Sequence, residues 1–160
     1  MEIGDVLAIV GAALALGMCG IGASFGVSIV QRACAGVVSD QPDKYTKTLI
    51  FQLIPTTCAL YGFVVAFLVL QKVGMGAEHA YTAAQGAMVL GACLPIALVG
   101  LASSIAQAKV CASCVVMVSK RNELYGKAIT MSIMIEFFAL LSLIVSILAI
   151  MAIPTIQTVS

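Results

Sequence analysis

The chain has 160 residues, of which 62% are hydrophobic and only 9% are charged, and its formal net charge is +1. Soluble domains have about a quarter of their residues charged, so the composition excludes an ordinary soluble domain and indicates a membrane protein. The near-neutral charge gives no electrostatic reason to expect a nucleic-acid partner.

Four apolar segments each exceed the roughly 20 residues that a membrane-spanning helix needs. They predict spanning helices at about residues 3–38, 45–73, 81–118 and 125–153. These helices use nearly the whole chain, so the expected fold is an all-α membrane protein with short loops. Glu2 and Asp5 precede the first apolar run, where a signal peptide would be basic, and we interpret this run as part of the mature first helix.

The first predicted helix is rich in small residues, among them Gly22 and Gly26 with three residues between them. Small residues at this spacing let helix backbones approach closely, which is a main source of helix association in lipid. The pattern fits a tight contact within one chain, and it also fits an inner ring of packed helices. The motif alone does not separate these two interpretations.

The second predicted helix follows a turn that contains Pro42, and it has Pro55 in its interior. A proline inside a helix removes one backbone donor, so the carbonyl of Phe51 loses its usual partner. Membrane helices tolerate this loss where another group satisfies the carbonyl. We therefore expect a kink next to Thr56 and Thr57.

All six cysteines lie within predicted helices, and Cys111 and Cys114 form a CxxC pair. In a lipid-embedded helix this spacing favours small apolar packing residues over a redox or metal site. We assign no chemistry to the pair.

Basic residues are concentrated in two of the predicted loops. The loops at 40–47 and 120–127 hold five of the eight Lys and Arg residues, whereas the 72–79 connection has Lys72. We expect His79 in this connection to be a solvated loop residue and not a ligand. The positive-inside rule places both basic loops in the cytoplasm, so both termini are expected outside it.

The chain contains an internal repeat with an offset of 80 residues. Identical residues at this offset include Gly11/Gly91, Gly20/Gly100, Ser24/Ser104, Cys34/Cys114, Tyr45/Tyr125 and Lys47/Lys127. The chain therefore divides into two tandem hairpins, 1–75 and 76–160, and because each has two spans, the repeat is parallel and not inverted. In this register Glu136 is opposite Thr56.

Glu136 is the one acidic residue far from the ends of the predicted spans, and an ionised carboxylate at that depth is costly and usually handles an ion or proton. At 1.5 Å per residue, Glu136, Thr57 and Gln107 all lie about 16 to 17 Å from the cytoplasmic ends of their helices, which is near the midplane. Ile54, Thr57 and Tyr61 share one face of the second helix. Oxygen-bearing groups on three helices predict a site for a hard cation or for a hydrogen-bonded proton. The alternative to an ion site is that Glu136 has a structural role only and holds helices together.

Several motifs together resemble the proteolipid subunit, called K or c, of V-type ATPases and ATP synthases. They are QLIPTTCALYGF at 52–63, LPIA at 94–97, SIAQAK at 104–109, the Gly-rich first helix and the helix that carries Glu136. The resemblance covers nearly the whole chain. It implies a closed homo-oligomeric rotor ring in the cell membrane, with helices 1 and 3 inside and helices 2 and 4 outside. It also implies a stator subunit (a or I) whose arginine competes for the carboxylate, and a central stalk that contacts loops 40–47 and 120–127.

The resemblance further implies an ion-binding set, which falls here on Glu136, Thr57, Cys58, Gln107, the Ile54 carbonyl and Tyr61. The carried ion is H⁺ or Na⁺, with Na⁺ held at Glu136, Gln107 and Thr57, and no cofactor is expected. Cys58 stands where sodium-binding members have glutamine, and a thiol is a poor ligand for a hard ion. The chain has no phosphate loop, so ATP chemistry is expected on partner subunits.

Two other classes of protein share features with a rotor subunit but fit the sequence less well. A small four-helix drug/proton antiporter also depends on one intramembrane glutamate, but that acid lies in its first span and is surrounded by aromatic residues. Here the acid is in the fourth span and aromatic residues make up 6% of the chain. A structural membrane scaffold leaves the shared depth of the polar residues unexplained.

Overall fold

The computed structural model describes residues 2–74 and 81–154, and every regular element in these ranges is a helix. The α-helices are α1 (Ile3–Asp40), α2 (Tyr45–Leu53), α3 (Thr57–Val73), α4 (Ala83–Lys120), α5 (Tyr125–Ile133) and α6 (Glu136–Ala152). Short 3₁₀ turns cover Pro42–Lys44, Ile54–Thr56 and Asn122–Leu124. His79 and most of the predicted 72–79 connection lie outside the described residues.

The helices form four units that are long and apolar enough to cross a membrane. These are α1, α2 with α3, α4, and α5 with α6, which we call spans 1 to 4. The prediction of an all-α membrane fold with four spans is confirmed. We use hairpin 1 for α1 to α3 and hairpin 2 for α4 to α6.

Local chemistry sets the ends of the long helices. Span 1 ends at Asp40 because Gln41 precedes Pro42 and is pushed out of the helical region, to φ −138° and ψ 77°. Span 3 begins at Ala83, two residues later than predicted, because Thr82 and Gln85 form a capping box. The Thr82 hydroxyl accepts from the Gln85 backbone N–H at 3.4 Å, and the Gln85 side chain accepts from the Thr82 N–H at 3.1 Å.

Spans 1 and 3 pack along each other, and α3 and α6 lie against spans 1 and 3 respectively. The small residues of span 1 make this close approach. An ideal Cβ on Gly22 would lie 2.8 Å from the Cα of Leu101, and one on Gly26 would lie 3.0 Å from the Ser104 carbonyl oxygen. Gly22 and Gly26 therefore form a tight contact between the two hairpins of one chain.

Replacing Gly22 with Val is expected to destabilise the folded chain by about 1 to 3 kcal/mol, because the new side chain meets the backbone of Leu101 and not a flexible side-chain end. Gly36→Val is the matched control, since an ideal Cβ on Gly36 meets nothing within 4 Å. Thermal unfolding of both variants in mild detergent measures the difference. Equal melting temperatures for the two variants would contradict the proposed role of Gly22.

Spans 2 and 4 are both interrupted at the same level. In span 2 the interruption is the 3₁₀ turn around Pro55, as the sequence predicts. In span 4 a turn at Met134 and Ile135 separates α5 from α6, and this break was not predicted. Ile135 is the repeat equivalent of Pro55, and its carbonyl accepts from the Ser103 hydroxyl at 3.4 Å. A side chain from span 3 thus compensates part of the disrupted helical hydrogen bonding.

The two predicted basic loops lie side by side at one end of the bundle. Lys44 Nζ donates to the Ser119 carbonyl at 2.5 Å, and Lys47 Nζ donates to Asn122 Oδ1 at 2.7 Å. Lys44 and Lys47 of hairpin 1 therefore both donate hydrogen bonds to hairpin 2 near the turn between spans 3 and 4.

The opposite end of the bundle is held by a buried carboxylate. Asp5 is 6% exposed, and its Oδ1 accepts from the Tyr81 backbone N–H at 2.9 Å. Burial, followed by the nearby Asp5 carboxylate, raises the pKa of the Tyr81 phenol. At the same end Lys72 Nζ donates to the Ile150 carbonyl at 2.6 Å, which places a cation at the C-terminus of α6.

The cysteine thiols are reduced and buried. Cys34 donates to the Thr48 carbonyl at 3.6 Å, and Cys114 donates to the Ala128 carbonyl at 3.5 Å. Both the donors and the acceptors are repeat equivalents, so the two hairpins use the same internal contact. Cys111, the other member of the CxxC pair, is fully buried in an apolar cluster.

Candidate ion-binding site

Glu136 is the first residue of α6, immediately after the turn that interrupts span 4. The backbone N–H groups at a helix N-terminus favour negative charge, so the break places the carboxylate where its charge is partly compensated. Its Oε1 accepts a hydrogen bond from the Tyr61 phenol at 2.5 Å, and Tyr61 comes from α3 in the other hairpin. The carboxylate is partly buried between spans 2 and 4.

Gln107 lies in the middle of α4 and is fully buried. Its Nε2 donates to the Ser132 carbonyl at 3.2 Å, which fixes the amide against α5. Its Oε1 is buried, and none of the described residues donates a hydrogen bond to it. A buried acceptor without a partner costs about 1 to 3 kcal/mol. The oxygen is therefore available to a cation, a water or a proton-bearing group.

Two further oxygen atoms come from the 3₁₀ turn in span 2. The Thr57 hydroxyl donates to the Ile54 carbonyl at 2.9 Å. Because the hydroxyl donates its one hydrogen bond to that carbonyl, its lone pairs can accept a hydrogen bond or coordinate a cation. Thr57 is also a neighbour of the Tyr61 phenol.

Cys58 is fully buried, and its neighbours are the hydroxyls of Thr57, Ser103 and Ser104. The sequence analysis missed the two serines. A signal existed, because Ser103 and Ser104 precede Gln107 by four and three residues and so lie near its face of the helix. They surround the thiol with small polar groups.

The structure thus brings Tyr61 to Glu136 and Thr57 to the Ile54 carbonyl, and it places Cys58 beside the Thr57 hydroxyl. Oxygen atoms of these kinds suit a hard cation, and they can equally hold a protonated carboxyl by hydrogen bonds. Among residues 2–74 and 81–154, no three His, Cys, Asp or Glu side chains cluster as metal ligands. The described residues therefore offer an oxygen-rich site around one acid.

A cavity of about 260 Å³ opens beside the carboxylate. It is lined by Ile133, Glu136, Phe137 and Leu140, all from span 4. Phe137 is 60% exposed, so this cavity lies at the outer surface of the helix bundle. Glu136 can consequently be approached from outside the bundle without opening the contact between spans 1 and 3.

Fold and site together define a membrane protein of two tandem helical hairpins with a single mid-span carboxylate on its last helix. One family model matches the sequence twice. The chain belongs to the ATP synthase C-subunit family, whose model matches residues 10–69 and again residues 90–149. Each bound of the second match lies 80 residues after that of the first.

Two relatives are similar to most of the chain. The V-type sodium ATPase subunit K of Enterococcus hirae is 39% identical over 148 residues, which cover 92% of each chain. The A-type ATP synthase subunit K of Methanocaldococcus jannaschii is 34% identical over 143 residues, which cover 89% of this chain and 61% of that protein. The resemblance to V-type ATPase and ATP synthase proteolipids is confirmed.

Proposed function

We propose that this chain is a non-catalytic rotor-ring subunit of a V/A-type ATPase or ATP synthase, and that it carries one H⁺ or Na⁺ on Glu136 during rotation. The observation that supports the ion site best is the fully buried Gln107 oxygen, to which no described residue donates a hydrogen bond. The names of the two relatives support the assignment to a rotary ATPase.

The proposed mechanism is electrostatic. While Glu136 faces lipid or a neighbouring subunit, an uncompensated negative charge is costly, so a proton or cation neutralises it. When the carboxylate meets an aqueous channel and the arginine of a stator subunit (a or I), its ionised form is favoured and the ion leaves. The cavity at the outer surface beside Glu136 gives the stator a direct approach.

The other partners follow from the two ends of the bundle. Loops 40–47 and 120–127 form the cytoplasmic end and bind the central stalk, while both termini lie outside the cytoplasm at the cell membrane. The contacts of Lys44 and Lys47 with hairpin 2 support a single docking surface made by both loops. ATP is hydrolysed or made on partner subunits, and the chain needs no cofactor.

Na⁺ and H⁺ are the two candidates for the ion transported at this site. Thr57, Gln107, Glu136 and the Ile54 carbonyl supply most of an oxygen cage for Na⁺, and the Enterococcus relative is named a sodium ATPase. Cys58 contributes a soft thiol, so sodium needs a water molecule at that position. A proton needs only Glu136 and a hydrogen-bonding neighbour.

A hydrophobic carbodiimide tests the proposal, because it reacts with protonated carboxyls in apolar surroundings. It is expected to label Glu136 selectively and to stop ATP-driven transport by the assembled complex. Added Na⁺ protects Glu136 if sodium is the cargo. Glu136→Gln is the matched control and should remain unlabelled. Full transport after stoichiometric labelling would overturn the rotor assignment.

A further inference from the structure

Each hairpin has one interrupted span, but the two interruptions differ in their chemistry. Span 2 is broken at Pro55, and the equivalent residue in span 4 is Ile135. Ile135 has a backbone N–H, so its own chemistry does not require a break before Glu136. A turn at Met134 and Ile135 nevertheless separates α5 from α6 and makes Glu136 the first residue of α6. A contact with another segment is therefore needed to hold this break.

Span 3 makes two side-chain hydrogen bonds to carbonyls around this turn. The Ser103 hydroxyl donates to the Ile135 carbonyl at 3.4 Å. The Gln107 Nε2 donates to the Ser132 carbonyl at 3.2 Å. In an uninterrupted α-helix, these two carbonyls would instead accept from backbone N–H groups four residues later. Both side chains thus bond to carbonyls that a continuous span 4 would use for itself.

Hairpin 1 lacks these two donors. Ser103 and Gln107 lie four residues apart on one face of α4, and they are 6% and 0% exposed. Their equivalents in hairpin 1 are Ala23 and Val27, whose side chains have no hydrogen-bond donor. Hairpin 1 therefore combines a proline with two apolar side chains, whereas hairpin 2 combines an isoleucine with two buried donors. Each hairpin has one means of interrupting its second span.

We infer that Ser103 is a positioning residue for Glu136, because its hydroxyl holds the break that makes Glu136 the first residue of α6. The Ile135 carbonyl belongs to the peptide group that joins Ile135 to Glu136, so a hydrogen bond there fixes the backbone that carries the acidic side chain. From this backbone, Glu136 Oε1 reaches the Tyr61 phenol of hairpin 1. The inference rests on the proposed function, since it concerns how the proposed ion carrier is held.

The backbone of span 4 can accept the means of interruption that hairpin 1 uses. Ile135 has a φ of −74°, which is within the range that proline permits. A residue before proline is usually kept out of the helical region, but Ile54 precedes Pro55 with φ −56° and ψ −48°. Met134 has similar values, φ −57° and ψ −31°. Ile135→Pro therefore supplies a break that does not depend on the Ser103 hydroxyl.

Transport by the assembled complex tests the positioning role in two backgrounds. Ser103→Ala is expected to slow ATP-driven transport about 3- to 10-fold, the effect of losing one hydrogen bond. Adding Ser103→Ala to Ile135→Pro is expected to cost nothing further, because the proline makes the hydroxyl unnecessary. A role in packing, or one exerted through the neighbouring Cys58, would cost the same in both backgrounds. An equal loss with and without the proline would overturn the inference.

Ser103→Thr and Ser103→Val form a matched pair, since the two side chains have nearly the same shape and only threonine has a hydroxyl. Transport should be about 3- to 10-fold faster in Ser103→Thr than in Ser103→Val. Equal rates in this pair would reject the positioning role.

Ser146→Ala is the control for losing another hydrogen bond between spans 3 and 4. The Ser146 hydroxyl accepts from the Ile96 N–H at 3.3 Å, and Ser146 lies ten residues after Glu136. This variant should leave transport close to that of the unmodified protein. A loss as large as that of Ser103→Ala would mean that the break has no special part, and the inference would fail.

Variants that do not assemble still decide the matter. If Ser103→Ala forms no ring, recovery of the ring in Ser103→Ala/Ile135→Pro supports the inference and its absence overturns it. If Ile135→Pro forms no ring, the Ser103→Thr and Ser103→Val pair decides alone.

Carbodiimide labelling separates this inference from the proposed function. If labelling of Glu136 stops transport while all Ser103 variants transport equally, the ion carrier stands and the positioning role alone is rejected. If labelling leaves transport intact, the proposed function fails, and the labelling rate of Glu136 becomes the measure of its position. Faster labelling in Ser103→Val than in Ser103→Thr then supports the positioning role, because a carboxyl released from Tyr61 is more open to the reagent, and equal rates reject it.

Discussion

Replacing Glu136 with Gln is expected to lower ATP-driven ion transport by about 10²-fold or more, the range typical of losing a positioned proton-transfer group. The amide can still accept the hydrogen bond that Tyr61 donates to Oε1, so the fold should be preserved. It can neither bind a proton at this level nor neutralise a sodium ion. Transport into inverted vesicles and the mass of the detergent-solubilised ring measure the two effects separately.

Asp5→Asn is the control for this prediction, because Asp5 is an acid outside the candidate site, and asparagine keeps an oxygen for the Tyr81 N–H while it loses the acceptor for the Glu2 N–H. It should leave transport close to that of the unmodified protein. Retention of substantial transport by Glu136→Gln, with an intact ring, would exclude Glu136 as the ion carrier.

Replacing Gln107 with Leu is expected to separate the two cargoes. Leucine keeps most of the volume but removes the buried Oε1 that has no partner. Loss of a hydrogen bond or ligand to a charged group is worth about 1.5 to 3 kcal/mol, which corresponds to roughly a 10- to 150-fold higher sodium concentration for half-protection of Glu136 from carbodiimide. A proton carrier should show a much smaller change in labelling.

Cys58→Gln is the converse of that substitution, since it adds an amide oxygen beside the Thr57 hydroxyl. With sodium as the cargo, it should lower the sodium concentration needed for protection, and Thr57→Val should raise it through loss of a ligand. Sodium that protects neither the native protein nor Cys58→Gln across a wide pH range would identify the proton as the carried ion.

The four spans could be predicted because composition and length alone determine whether a helix can cross a bilayer. The break at Pro55 was also predictable, since proline lacks the backbone donor. The break before Glu136 was not, because Ile135 has no such local signature. There the structure supplies a Ser103 hydroxyl from another span, and a contact between distant segments leaves no pattern in the local sequence.

The candidate site, too, could be predicted only in part from the sequence. The common depth of Glu136, Thr57 and Gln107 follows from the helical rise per residue. The orientation of the Gln107 amide does not, because it depends on the Ser132 carbonyl of a different helix. The sequence therefore predicts that these groups share a level, while the structure shows that no described residue donates a hydrogen bond to the Gln107 Oε1.

The hydrogen bond between Tyr61 and Glu136 joins two halves of one polypeptide, which has a consequence for gene dosage. Because one chain supplies the carboxylate and its phenol donor, a ring assembled from a mixture of native and Glu136→Gln chains would lose one complete site for each variant chain. In the proposed rotor every site must pass the stator in turn, so inactivation in co-expressing cells should exceed the fraction of variant chains incorporated, with no rescue by native neighbours. Because both hairpins belong to one chain, each proposed ion site is made by a single gene product.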